Sequence, residues 1–119
     1  MILFLLAAVA TPAPPVVVSS LQTERLADAC RGKDSDATES FCTGYILGAF
    51  DALSLSHQIC PSPTGASTLD AVAATRKYLR THRKQWNSAP TFLVRDALKV
   101  SFPCKPAAAP AKRKTRARK

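Results

Sequence analysis

The residues of this sequence best suited to chemistry are its four cysteines, Cys30, Cys42, Cys60 and Cys104. No two of them form a C-x-x-C pair, and neither histidine lies at a spacing typical of zinc ligands. An even number of cysteines in a short chain, after a signal-like segment, favours disulfide bonds over a metal site. We therefore expect two disulfides and no remaining thiol nucleophile.

The other ionisable candidates give little support for catalysis. His57 and His82 fall near the ends of different predicted helices, where a cationic imidazole is favourable. Asp51 lies inside a predicted helix without a carboxylate partner three or four residues away. It is better explained as an acceptor of hydrogen bonds from a loop or a neighbouring helix than as a general acid or base. The sequence has no phosphate-binding glycine loop and no nucleophile elbow. We expect no catalytic, cofactor or metal site, and a protein that is not an enzyme.

The N-terminal segment predicts export. Residues 1–10, MILFLLAAVA, are continuously apolar but too short to span a bilayer, which needs about 20 residues. They match the apolar region of a secretory signal peptide, and Ala8-Val9-Ala10 fits a cleavage site, although no Lys or Arg precedes the run. A buried helix or strand is the alternative. Residues 11–18, TPAPPVVV, contain three prolines and predict an extended linker.

The positive charge is concentrated at the C-terminus. Residues 105–119 hold seven of the seventeen basic residues and no acidic residue, whereas the remainder has ten basic and eight acidic residues. Such a tail binds phosphates without reading sequence, and no aromatic residues are interleaved to stack on bases. We expect a disordered basic tail that either has no dedicated partner or contacts anionic lipid or other polyanions non-specifically. No specific nucleic acid is expected.

Residues 19–104 show the apolar periodicity of four helices and no strand. The first helix should begin at Ser19, which has capping-box spacing to Gln22, and end by Gly32. The second should be capped by Thr38 and run to about His57.

The third and fourth helices have comparable start signals. Ser67 or Thr68 should cap the third, and Asn87 or Ser88 the fourth, with Pro90 in the first turn of the fourth. The third helix has an apolar side, predicted to face the core, that consists of Leu69, Val72, Ala73, Tyr78 and Leu79. Its other side is basic and consists of Arg76, Lys77, Arg80, Arg83 and Lys84. The apolar side of the fourth helix consists of Ala89, Leu93, Ala97 and Val100.

The second helix is expected to organise the domain. Its glycines, Gly44 and Gly48, form a row of small residues with Ala52. A glycine within a helix costs about 1 kcal/mol relative to alanine. Helix dimers use such rows, but so do packed bundles, and we expect another helix of the bundle to approach this row closely. Gly48→Leu should therefore damage folding more than specificity.

Four helices with short loops predict a small all-α, antiparallel bundle. In this topology the end of the first helix lies beside the start of the second, and the second and fourth helices end together. Of the three formal pairings, the geometry favours Cys30–Cys42 and Cys60–Cys104. Each bond would contribute about 2–4 kcal/mol by restricting the unfolded chain, which helps a core this small.

Over residues 19–104 the sequence resembles the Rap/Tai family of type VI secretion amidase immunity proteins. The motifs that carry the resemblance are Cys30, FCxGYIxGxxD at residues 41–51, ICP at 59–61, YLxxH at 78–82, Ala97-Leu98, and FPC at 102–104. The resemblance implies a small, helical, disulfide-containing periplasmic protein that binds and inhibits a peptidoglycan amidase effector. It also implies that the protein is not an enzyme. Because several members of the family act as homodimers, a homodimer is a further possibility that the resemblance implies.

The resemblance further implies that a surface loop enters the amidase cleft. The matched motif residues are then scaffold: Phe41, Gly44, Tyr45, Gly48, Asp51 and Pro103. We expect the loop at Pro61–Ser67 to bind the partner, because it is longer than Lys33–Ala37 or Arg83–Ser88; its candidate contacts are Pro61, Ser62, Pro63, Thr64 and Gly65. The alternative function is a periplasmic helical binding or chaperone-like envelope protein without an effector partner.

Overall fold

A computed structural model describes residues 10–62 and 65–104 of the 119-residue chain. Residues 1–9 of the predicted signal peptide, Pro63 and Thr64 of the predicted binding loop, and the basic tail at residues 105–119 lie outside the described residues. Residues 11–18 are exposed and have no regular secondary structure.

The described part of the chain is helical and has no β-strand. Its helices are α1 (Thr23–Ala29), α2 (Phe41–Leu55), α3 (Thr68–Thr81) and α4 (Pro90–Ser101), with a short 3-10 turn at Arg83–Gln85. The helices α2, α3 and α4 contact one another, and α1 contacts α2 and α3. The predicted all-α, disulfide-stapled fold is confirmed.

Helix α1 begins later than predicted. Gln22 is its N-cap and makes no capping hydrogen bond through its side chain, so the predicted capping box at Ser19 is wrong. Thr23 is buried, and its hydroxyl donates to the carbonyl oxygen of Ser88, just before α4. A tertiary contact therefore accompanies the start of α1, where a local cap was expected.

Helix α2 is capped by Ser40, not by Thr38. The Thr43 backbone N–H donates to the Ser40 hydroxyl oxygen at 3.2 Å. The backbone N–H of Thr38 donates instead to the carboxylate of Asp36 at 3.0 Å, so Thr38 belongs to a turn in the preceding loop. At the other end His57 has a φ of 60°, the left-handed conformation that often terminates a helix.

The start signals of α3 and α4 were partly correct. Of the two caps predicted for α3, Ser67 is the correct one, and it forms a reciprocal capping box with Asp70. Pro90 is the first residue of α4, as predicted, but Ala89 is the N-cap in place of Asn87 or Ser88.

The core is formed by apolar side chains from all four helices and from the segments that follow α2 and α4. Its largest members include Leu26, Ile46, Ile59, Val72, Leu79, Leu93, Val94, Leu98 and Phe102. Leu69 and Val100, predicted to face the core, are 59% and 73% exposed. Arg76, placed on the basic side of α3 by the sequence pattern, is buried. The predicted sides are therefore wrong for Leu69 and Arg76 on α3 and for Val100 on α4.

Two disulfides join the helix ends, with the predicted pairing. Cys30 bonds to Cys42 between α1 and α2, and Cys60 bonds to Cys104 beyond the ends of α2 and α4. No cysteine of the described chain is free.

Candidate functional site

The loop between α2 and α3, residues 56–67, is held firmly at its first end. Cys60 forms the disulfide to Cys104, and its backbone N–H donates to the carbonyl oxygen of Phe102 at 2.9 Å. Ile59 beside it is buried in the core. The chain therefore leaves the core at a position fixed by a covalent bond, a hydrogen bond and an apolar side chain.

The described part of the predicted binding segment forms a turn. The Gly65 N–H donates to the carbonyl oxygen of Ser62 at 3.0 Å, and the Ala66 N–H donates to that of Pro61 at 3.3 Å. Gly65 has a φ of 64°, which glycine adopts without the steric penalty of a Cβ. Ser62 and Gly65 are exposed, and Pro61 is half-buried. The turn therefore presents backbone and small side chains to solvent.

The second end of the loop is fixed by the capping box of α3. The Ser67 N–H donates to the Asp70 carboxylate at 2.8 Å, and the Asp70 N–H donates to the Ser67 hydroxyl oxygen at 3.3 Å. The backbone hydrogen bond from Ser67, supported by its hydroxyl, lowers the pKa of Asp70 below its ordinary value. The carboxylate is thus kept ionised where the positive end of α3 also favours negative charge.

The small-residue row of α2 lies on the solvent side of the fold. A Cβ built at Gly44 or Gly48 meets no atom within 4 Å, and Ala52 is exposed. The expectation that another helix of the bundle approaches this row is therefore wrong for this chain. Phe41 is 56% exposed and Leu55 is 82% exposed near the two ends of the same helix.

The remaining motif residues and the histidines do not form a reactive cluster. Tyr45 is half-buried, whereas Asp51 and Pro103 are exposed, and Asp51 accepts no hydrogen bond from the residues that the structure describes. The expectation that a loop or a second helix donates to Asp51 is wrong. His82 stacks on Tyr78 with ring centroids 3.6 Å apart.

The described residues contain no cluster of three or more His, Cys, Asp or Glu side chains that could hold a metal ion. Within the same ranges, no helix has the length and apolar character needed to cross a bilayer.

These observations define a small all-α domain, stapled by two disulfides, with an anchored loop and an exposed helix face. The family model described as Rap1a immunity proteins matches residues 22–104, which is more than half of the chain. The protein belongs to this immunity protein family, which confirms the resemblance found in the sequence. Searches of the curated proteins and of the solved structures found no significant match.

Proposed function

We propose that this protein acts in the periplasm, where it binds and inhibits a peptidoglycan amidase effector delivered by a type VI secretion system. Membership of the Rap1a immunity family, over residues 22–104, is the observation that carries this proposal. The two disulfides support it, because such bonds persist in oxidising compartments such as the bacterial periplasm. In this proposal the protein acts by binding the effector and not by catalysing a reaction.

The proposed contact with the effector is the segment formed by Pro61, Ser62, Pro63, Thr64 and Gly65. The disulfide at Cys60 and the capping box at Ser67 hold both ends of the loop, which reduces the conformational entropy that binding must remove. Ser62 and Gly65 in this turn are small and exposed, which favours insertion into a cleft of the effector.

The proposal includes a homodimer that uses the exposed side of α2. Gly44 and Gly48 leave open space for the backbone of a second copy, and the exposed side chains of Phe41 and Leu55 would be covered.

The domain organisation consists of a signal peptide at 1–10, a linker at 11–18, the helical domain and a basic tail at 105–119. The tail contacts anionic lipid or other polyanions non-specifically.

Co-expression in the periplasm tests the function. Cells that produce a periplasmic amidase effector from the same genome should lyse alone and survive with this protein. Lysis that continues with every such effector would refute the immunity role.

Two matched serine variants test the loop. Ser62 and Ser35 are both exposed loop residues, in the loops that follow α2 and α1 respectively. Ser62→Arg should abolish protection by blocking insertion, whereas Ser35→Arg should protect normally. Loss of protection by Ser35→Arg, with normal protection by Ser62→Arg, would show that the wrong loop was assigned.

A further inference from the structure

Arg76 of α3 is a buried cation without an ionic partner. Its side chain is 4% exposed, and one terminal nitrogen, Nη1, donates to the carbonyl oxygens of Cys30 at 2.6 Å and Arg31 at 2.9 Å. Its Nε has no hydrogen-bond partner, and no carboxylate of the described residues forms an ion pair with it. Burying a charge is unfavourable unless it is paired, so this arrangement needs an explanation.

Asp34 and Asp36, two carboxylates on which the charge of Arg76 acts, are engaged by other donors. Asp34 accepts two hydrogen bonds from the guanidinium of Arg80, one of them at 3.0 Å. The hydrogen bond from Arg80 is the main reason why the pKa of Asp34 is lowered, and the charge of Arg76 adds only a weaker effect from a distance. Asp36 accepts hydrogen bonds from Thr38. The positive charge of Arg76 is therefore available to a further anion.

Arg76 lines a cleft of about 690 Å³ between α1, α3 and the 3-10 turn. This volume suits a small organic ligand or a short peptide segment rather than a single inorganic ion. The wall includes the apolar side chains of Ala27, Leu79 and Trp86 as well as polar groups. Two acidic residues of α1, Glu24 and Asp28, also face the cleft, which disfavours a highly charged polyanion.

The mouth of the cleft carries a second cation. The Trp86 indole N–H donates to the carbonyl oxygen of Leu79 at 2.9 Å, which fixes the ring. The guanidinium carbon of Arg83 lies 5.2 Å from the centre of this ring, and Arg83 forms no ion pair with the described residues. Arg31 and Arg80, the other two arginines of the cleft, are paired with carboxylates. Arg76 and Arg83 are thus the cations available to a ligand.

We propose that this cleft binds an acidic peptide segment. A carboxylate of the peptide contacts Arg83 and the second terminal nitrogen of Arg76, Nη2, because Nη1 is already bonded to two carbonyl oxygens and Nε is buried. A hydrogen bond between a guanidinium and a carboxylate is charge-assisted and therefore strong. Apolar atoms next to that carboxylate lie against Trp86 and Leu79. This inference does not depend on the proposed amidase partner, since it rests only on the charge and shape of the cleft.

Fluorescence of Trp86 tests the proposal directly, because this is the only tryptophan of the chain. The full-length, disulfide-bonded protein is titrated at near-physiological salt with the blocked tripeptide acetyl-Leu-Glu-Leu-amide, its Gln analogue and inorganic phosphate. The Glu peptide should produce a saturable change and bind about tenfold more tightly than the Gln peptide, which corresponds to about 1.4 kcal/mol. Equal binding of the two peptides, or binding of phosphate alone, would overturn the proposal.

A matched pair of arginine variants locates the site. Arg83→Gln should weaken binding of the Glu peptide about tenfold, as expected for a lost charge-assisted hydrogen bond. Arg95→Gln is the control, because the Arg95 guanidinium carbon lies the same 5.2 Å from an aromatic ring, that of Phe92, outside the cleft. Both variants retain the basic tail, so a non-specific contribution from it is the same in each. Equal weakening in both variants would contradict the assignment. A Tm equal to that of the parent protein shows that Arg83→Gln leaves the fold intact.

Discussion

Replacing Gly48 by alanine should stabilise the isolated protein. Gly48 lies in the interior of α2 with a negative φ, and a Cβ there meets no atom within 4 Å. The substitution therefore introduces no clash and removes the conformational freedom that glycine has in the unfolded chain. The expected gain in the free energy of unfolding is about 0.5–1 kcal/mol. The same reasoning applies to Gly44, so Gly44→Ala should give a gain of similar size.

Thermal unfolding followed by circular dichroism measures this gain. A domain of 60–100 residues changes its Tm by about 4–8 °C for each kcal/mol, so the shift is easily resolved. The measurement should be made at a protein concentration where sedimentation shows a monomer, because a second copy on α2 would change the result.

The same substitution at Gly65 is a matched control of opposite sign. Gly65 has a φ of 64°, so an alanine there should lower the free energy of unfolding by about 1 kcal/mol. A decrease in the Tm of the monomeric Gly48→Ala variant would refute the reasoning, because it would mean that α2 is packed against another part of the chain at this position.

Three further perturbations test the staples and the helix ends. Replacing both cysteines of the Cys60–Cys104 bond by serine should reduce the free energy of unfolding by about 1 kcal/mol more than removing the other disulfide, because the sequence separations are 44 and 12 residues; denaturation in urea compares the two. Asp70→Asn should make the loss of stability in acid less steep. The pKa of Asp70 is lowered in the folded protein, so its contribution to the free energy of unfolding is complete above about pH 3.8 and disappears as the pH falls through the pKa of the folded state. An equally steep acid transition in both proteins would contradict this. His57→Gly should raise the Tm, because the residue has a φ of 60°, and an unchanged or lower Tm would show that the histidine side chain compensates for the strain.

The features predicted correctly from the sequence depend on local or strongly constrained signals. The capping box of Ser67 needs only two residues three positions apart, and Pro90 can begin a helix but rarely continue one. The disulfide pairing followed from the order of the helices, since chain connectivity determines which helix ends can meet. The ordered set of cysteine, glycine and aromatic motifs was sufficient to indicate the family.

The errors arose where tertiary contacts override local patterns. The charge of Arg76 predicts the solvent side of α3, yet the carbonyl groups at the end of α1 hold its guanidinium in the interior. The start of α1 coincides with a hydrogen bond between Thr23 and Ser88, which are 65 positions apart, and no local pattern indicates such a contact. A row of glycines permits close approach but does not specify it, so Gly44 and Gly48 could equally face a neighbouring helix or, as observed, solvent.

Inhibition of a purified amidase effector by the purified, disulfide-bonded protein is the most direct test of the proposed function. The effector's hydrolysis of peptidoglycan amide bonds should fall in proportion to the amount of protein added and stop at a stoichiometric ratio, and Ser62→Arg should relieve the inhibition. Undiminished hydrolysis by every amidase effector of the same genome, in the presence of excess folded protein, would contradict the account.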